Sequence, residues 1–305
     1  MTEIRPIVGS RDPWQASFER RLRDAYHAVG LPDLAMKQRI EQLRAGFDGW
    51  TVAEITSAGA RVGFVAVSIT GSGAHPTGHI RDSWVDPGHA GEGHERAARA
   101  WAERWCEERG AVRIGVRLVA PDPLFEDYPV RGQTRMRVIA DAEPVEKASV
   151  RLMTEAEYPA WLEGRKADYI HDILRSGALS PEEARHKSDK DFAELLPHGF
   201  GTADTTLQVF EDQGVVIGTG WLRHRHLPSV TFGYSLEIHE PYRGGGYGRA
   251  AMLLGEHAAL AAGDSVFMFD VFGGNKGAMG FYDKTGYHVL EENRSIELPR
   301  RTADA

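Results

Sequence analysis

A chain of 305 residues, 42% hydrophobic and 26% charged, has the length for about two globular domains, each with its own core. No stretch approaches the roughly 18 consecutive apolar residues of a membrane span, and a net charge of −8 opposes a phosphate backbone, so neither membrane nor nucleic acid is an expected partner. A single cysteine, Cys106, permits no internal disulfide, and the opening Met-Thr-Glu-Ile-Arg-Pro shows no basic, apolar leader; the cytoplasm is the expected location.

Hydrophobic periodicity predicts helices over Trp14–Ala28 and Ala35–Ala45, then strands over Trp50–Ile55, Gly63–Ile69 and Gly78–Val85. A glycine-rich turn follows, then a helix Ala97–Arg109 whose buried face carries Trp101, Trp105 and Cys106, and a strand Arg113–Val119. Pro121, Pro123 and Pro129 disfavour a helix around Phe125 to Tyr128. The polar segment Asp141–Ser149, with Pro144, separates two halves and sets expected domains of 1–147 and 148–305.

The second half repeats the order. Helices are predicted over Glu155–Ser176 and Pro181–Leu196, the latter opened by Ser180-Pro181-Glu182-Glu183 as a capping box. Ile170, Ile173 and Leu174 form a stripe read as core packing. Strands follow over Thr205–Glu211, Val215–Leu222 and Ser229–Ile238, with Arg223 to His226 as a charged hairpin tip. A second glycine turn, a helix Ala250–Ala262, a strand Phe267–Phe272 and a helix Asn275–Thr285 complete it. At an offset of 153 residues, Arg96-Ala97-Ala98 falls on Arg249-Ala250-Ala251, Val85 on Ile238 and Gly93 on Gly246. This pattern predicts an internal duplication. In the first copy Ala90 stands for Arg243 and Glu95 for Gly248, so its turn is expected to have lost anion binding: a carboxylate there repels a diphosphate.

The run Tyr242-Arg243-Gly244-Gly245-Gly246-Tyr247-Gly248-Arg249 lies between a strand and a helix. Such a turn presents backbone N–H groups at the positive end of a helix dipole, with no side chains to bar a phosphate. No Lys follows as a Walker loop requires, and the Gly-x-Gly-x-x-Gly of a dinucleotide fold is absent. The motif is Arg-x-x-Gly-x-Gly, over Arg243, Gly246 and Gly248. About 30 residues later Asn275, Ala278, Phe281, Tyr282, Gly286 and Tyr287 stand in an Asn-x-x-Ala-x-x-Phe-Tyr-x-x-x-Gly-Tyr pattern. The two in this order resemble the GCN5-related N-acetyltransferase (GNAT) superfamily over roughly residues 150 to 298.

The resemblance implies an α/β (α+β) protein of two tandem domains, each a mixed, mostly antiparallel sheet flanked by helices, with acetyl-CoA as co-substrate and no metal. It implies that a bulged strand ending at Leu236, Glu237 and Ile238 offers a backbone N–H to the thioester carbonyl. Gly244, Gly245, Gly246, Tyr247, Gly248 and Arg249 would bind the pyrophosphate, with Arg243 or Arg249 adding charge, and Asn275 would cap its helix and meet the pantetheine arm. Tyr282 matches the family's general acid toward the leaving thiolate, and Phe281 is the better packing residue of the two. Asp270 and Glu237 compete as base, with a solvated amine and no base residue as the third option. The acceptor expected is a primary amine of a small molecule. A carrier-protein phosphopantetheine donor and a non-catalytic acyl-CoA-binding module are the rivals. His75, His79, His89 and His94 occupy glycine-rich loops without metal spacing, and no His-Glu-x-x-His occurs.

Overall fold

The computed structural model describes residues 1–71, 76–175 and 180–298. The chain divides into two compact units, Met1–Arg137 with Phe269–Ala305, and Val138–Met268. This departs from the linear split at 147, because the last strand of the chain belongs to the sheet of the first unit.

The first unit contains β1 (Thr2–Pro6), α1 (Asp12–Ala28), α2 (Asp33–Arg44), β2 (Thr51–Ser57), β3 (Ala60–Thr70), β4 (Thr77–Val85), α3 (His94–Glu108), β5 (Arg113–Leu118) and β6 (Val130–Val138). Its strands run in the order β1-β2-β3-β4-β5, then the C-terminal strand His288–Glu297, then β6. Among these pairs only β4 and β5 are parallel. Helix α3 buries Ala98, Ala102 and Cys106 against Val65, Val67, Ile80 and Ile114, with Trp101 and Trp105 half-buried at its flanks. Small residues at i, i+4 and i+8 let the helix approach the sheet closely. On the other face Trp14, Phe18, Phe47 and Trp50 form an aromatic cluster, Phe47 and Trp50 with centroids 4.8 Å apart.

Strands β4 and β5 pair only over Thr77–Ile80 with Arg113–Val116. Beyond that they part around a cavity of about 270 Å³ lined by Arg81, Asp82, Val116 and Arg117. Asp82 is buried on its wall, held by Trp14 Nε1 at 2.9 Å and by both terminal nitrogens of Arg21 at 2.9 and 2.8 Å.

The second unit contains β7 (Ser149–Leu152), α4 (Tyr158–Arg175), α5 (Pro181–Leu195), β8 (Thr205–Asp212), β9 (Val215–Leu227), β10 (Val230–Ile238) and α6 (Tyr247–Ala261). The predicted helix end at Ser176 lies outside the described residues. Its strand order is β10-β9-β8-β7, all antiparallel. The capping box forms as read, Ser180 Oγ accepting from Glu183 N at 3.3 Å and Glu183 Oε2 from Ser180 N at 2.9 Å. Helix α4 anchors through Trp161, which meets Phe192 and Trp221 in one cluster. Ile170 and Ile173 are half-exposed and Leu174 is exposed, so the stripe expected in the core lies at the surface. Arg223 to His226 belong to β9 rather than to a hairpin tip, and His224 is buried between Thr206 and Thr231.

Strand β11 (Val266–Phe272) carries the boundary between the units; α7 (Lys276–Lys284) and β12 (His288–Glu297) follow in the first. β12 inserts between β5 and β6, pairing antiparallel with both. Gly273 N donates to Arg131 O at 2.9 Å, so the end of β11 meets the β6 strand. Each copy's last strand therefore pairs with the strand the other copy placed before its own. Glu291 of β12 is 1% exposed and receives Tyr26 Oη at 2.6 Å and Arg39 at 3.0 and 2.8 Å. Burial alone would raise its carboxyl, but Arg117, Arg39 and Tyr26 overcome that and hold it down at about 2.

The duplication is written in the backbone. At the offset of 153, β4 falls on β10 and α3 on α6 over their full lengths. The extra residue of the bulge in β4, Arg81, falls on that of β10, Tyr234. Asp86 N donates to Val62 O at 2.7 Å as His239 N does to Ile217 O at 2.8 Å.

Candidate active site

In the second unit the glycine turn leads from β10 into α6. Gly244 and Gly246 have φ of +78° and +86°, the left-handed region that a side chain would strain, and Gly246 is the N-cap of α6. No side chain caps this terminus, which leaves the N–H groups of its first turn to a ligand. A Cβ built on Gly248 would meet nothing within 4 Å, nor would one on Gly244, so the space in front of the turn is open. A diphosphate fits such a cradle: it needs close approach to amide groups and tolerates no side chain there.

The flanking side chains play different parts. Arg243 turns back and donates from Nε to Ile238 O at 2.9 Å, bracing the turn on the end of β10. Arg249 is exposed, with Glu143 at 3.6 Å. Tyr247 sends its hydroxyl to Asp212 at 2.5 Å, and its ring lies against Gly245, where a Cβ would stand 3.1 Å from it. Lys147 was missed by sequence reasoning. Its Nζ donates to Gly245 O, stands 5.0 Å over the Tyr247 ring and comes within 3.7 Å of a Cβ position on Gly246. It lies in the segment read as a linker, about 100 residues from the motif, and no spacing rule points to it.

The bulge places Tyr234 as the extra residue of β10, ahead of Leu236, Glu237 and Ile238. Ile238 is buried with Phe210, Ile217, Ala251 and Leu254, which fixes the strand end. Glu237 is half-buried and already engaged: Arg165 of α4 bonds its Oε2 at 2.6 Å.

Asp270, Asn275 and Tyr282 lie in the first unit. Asn275 is the N-cap of α7, its Oδ1 accepting from Ala278 N at 3.1 Å. Asp270 accepts from Thr134 Oγ1 at 2.7 Å. One side of it is open to solvent, yet its surroundings are crowded enough that burial pushes its carboxyl above the ordinary value. The charge of Glu291 adds to the shift, and Thr134 and Arg39 oppose it. Tyr282 packs its ring on Phe269 at 4.5 Å and on Tyr287 at 5.9 Å, with Phe281 against its edge. Tyr282 thus shares in the packing for which the sequence favours Phe281. Burial raises the Tyr282 phenol, and its hydroxyl bonds no described residue. Cys106, the one thiol, is buried and pushed up to about 11 by that burial, too basic for a nucleophile.

The profile of the acetyltransferase (GNAT) family matches two separate stretches, residues 14–122 and 167–287. The chain belongs to the GNAT family. Two curated relatives of Bacillus subtilis (strain 168) are named as uncharacterized N-acetyltransferases. YycN is 28% identical over 149 residues, 48% of this chain and 96% of its own length. YdgE is 28% identical over 138 residues, 44% of this chain and 88% of its own. A GCN5-related N-acetyltransferase from Sphaerobacter thermophilus superposes over 98% of this chain and 97% of its own with a TM-score of 0.56 at 17% identity. A tandem GNAT protein from the clavulanic acid biosynthesis pathway covers 98% of this chain and 100% of its own with a TM-score of 0.50 at 16% identity. At those identities the likeness is of fold. A GNAT match in each half agrees with the duplicated backbone. Among the described residues no helix is long and apolar enough to cross a membrane.

Proposed function

We propose that the protein is a cytoplasmic N-acyltransferase that moves an acetyl or other small acyl group from CoA to a primary amine of a small molecule, and that only its second copy holds CoA. The observation that carries this reading is the uncapped glycine turn at the start of α6, with open space at Gly244 and Gly248, in a chain of the GNAT family. Acyl-CoA supplies the activated thioester. The amides of Tyr247, Gly248 and Arg249 bind the diphosphate, with the Lys147 ammonium beside them adding positive charge. The bulge at Tyr234 interrupts the register of β10 ahead of Leu236 to Ile238, and a backbone N–H of that stretch is the proposed oxyanion donor.

Asp270 is the proposed proton acceptor, through water. Its raised carboxyl suits the task better than Glu237, whose oxygen Arg165 already holds. Tyr282, with its hydroxyl uncommitted, returns a proton to the departing sulfur. The solvent-facing apolar stripe of α4, Ile170 to Leu174, suits an acceptor wall.

Calorimetry with acetyl-CoA tests the donor half of the proposal, and one site per chain is expected. Incubation with acetyl-CoA and a panel of small primary amines, read by free-thiol release and product mass, tests the acceptor half. CoA binding without thiol release on any amine would leave a binding module. Equal affinity for acetylpantetheine would favour a carrier-protein donor.

A further inference from the structure

The first copy keeps the shape of the turn but not its contents. Gly91 and Gly93 have φ of +81° and +90°, matching Gly244 and Gly246, and Gly93 is the N-cap of α3. Glu95 stands for Gly248, and its Oε1 accepts from Gly91 N at 3.0 Å, so a carboxylate of the chain fills the place left open in the second copy. Ala90 stands for Arg243, and three more positions differ. At the offset of 153, Tyr242, Gly245 and Tyr247 become His89, Glu92 and His94. The ring pair survives the exchange: Tyr242 and Tyr247 lie edge to face at 6.2 Å, His89 and His94 at 6.3 Å.

We propose that this refitted turn is a metal site for Zn²⁺ or a comparable borderline divalent ion, with His89, Glu92 and His94 as its protein ligands. One ligand atom of each falls within 4.8 Å of the others. Glu92 Oε2 lies 3.5 Å from His89 Nδ1 and 3.2 Å from His94 Nε2. Ligands at the usual ~2.0–2.2 Å from zinc stand about 3.4 Å apart along a tetrahedral edge, so the cluster needs little movement to close on an ion. His94 is 4% exposed, and Thr2 Oγ1 stands 2.9 Å from its Nδ1. A proton on Nδ1, donated to Thr2, leaves the Nε2 lone pair facing the cluster, the tautomer a metal requires. Three protein ligands leave a fourth position for water. The N-terminus of α3 is itself unfavourable to a cation, and the carboxylates of Glu92 and Glu95 offset that. Sequence spacing alone did not show the cluster because Glu92 supplies the third ligand and only the left-handed Gly91 and Gly93 fold it between the two rings. The ion would clip β1, through Thr2 and His94, to the start of α3, where the second copy would hold a diphosphate.

The test uses tag-free full-length protein stripped with a chelator and titrated with Zn²⁺ by calorimetry. One ion per chain is expected, with a rise in thermal midpoint. Co²⁺ in its place should give the visible d–d absorption of a low-coordinate site. Glu92→Gln and His89→Asn, both at accessible positions, should each weaken Zn²⁺ at least tenfold and leave acetyl-CoA affinity unchanged. Absence of saturable Zn²⁺ binding, or binding that survives both substitutions, would overturn the proposal and leave a hydrogen-bonded His–Glu cluster.

Discussion

At Gly244 and Gly248 a Cβ would meet nothing within 4 Å; at Gly91 to Glu95 the same backbone turns one of its amides onto its own carboxylate. Both turns hold two left-handed glycines and both start a helix of 15 residues. Backbone geometry alone therefore does not decide whether such a turn binds an anion. Among the positions that set the two turns apart is Gly248 or Glu95, where the chain either leaves the cradle clear or places a carboxylate in it. Both turns keep their glycines because the strand-to-helix reversal needs positive φ.

The largest effect expected bears on how the units depend on chain order. Deleting residues from His288 onward removes the partner of both β5 and β6, and the first unit should lose its cooperative unfolding transition in calorimetry. A retained transition would make β12 an accessory strand. Next, Gly248→Glu copies the first cradle into the second and should weaken acetyl-CoA by about 100-fold or more, whereas Glu95→Gln should leave both affinity and stoichiometry as they are. If Glu95→Gln added a second CoA per chain, the first copy would be masked, not lost. Third, Tyr282→Phe keeps the ring packing on Phe269 and should slow turnover by about 10- to 1000-fold at unchanged CoA affinity. An unaltered rate would assign Tyr282 to packing alone.

Glu291→Gln leaves Arg39 and Arg117 facing a neutral partner and should cost about 3 kcal/mol or more in chemical denaturation. Its carboxyl sits at about 2 in the fold against an ordinary 4.5, so its stabilisation is complete above pH 4.5 and declines as pH falls toward 2. The variant should lose that acid-limb dependence. The smallest effect concerns the base: Asp270→Asn should lower turnover and remove the rising limb of the pH profile, displaced above the ordinary carboxylate range, while Glu237→Gln changes it little. The reverse ranking would move the base to Glu237.

Much of this was legible in the sequence where the pattern was apolar. Strands β2 to β5 and β8 to β11 alternate or run apolar, and the glycine turns and the Ser180 capping box declare themselves by residue type. β6 and β12 escaped because most of their buried positions are polar, with Met136 and Leu290 the exceptions. Arg135 is 2% exposed and bonds Gln133, Asp283 and Tyr287 O, and Glu291 is held by two arginines and a tyrosine. A period-two reading sees charge there and assigns loop. The cradle glycines and the Asn275 cap were readable from local spacing. Lys147, Thr134 and the Arg165 hold on Glu237 were not, since each is a contact made by chain folded back from far away in sequence.

The position of β12 has a consequence for the order of events at synthesis. Arg113 on β5 and Glu297 on β12 meet across 184 residues of sequence. At about 5–20 residues per second, the interval between making one and the other is roughly 10 to 40 seconds. During that wait β5 and β6 are open edges, the kind of surface that pairs with strangers. Both carry arginines, Arg113 and Arg117 on one, Arg131 and Arg135 on the other, and like charge keeps such edges apart. The acidic residues of β12, Glu291, Glu292 and Glu297, arrive last and neutralise Arg117 and Arg113 as the sheet closes.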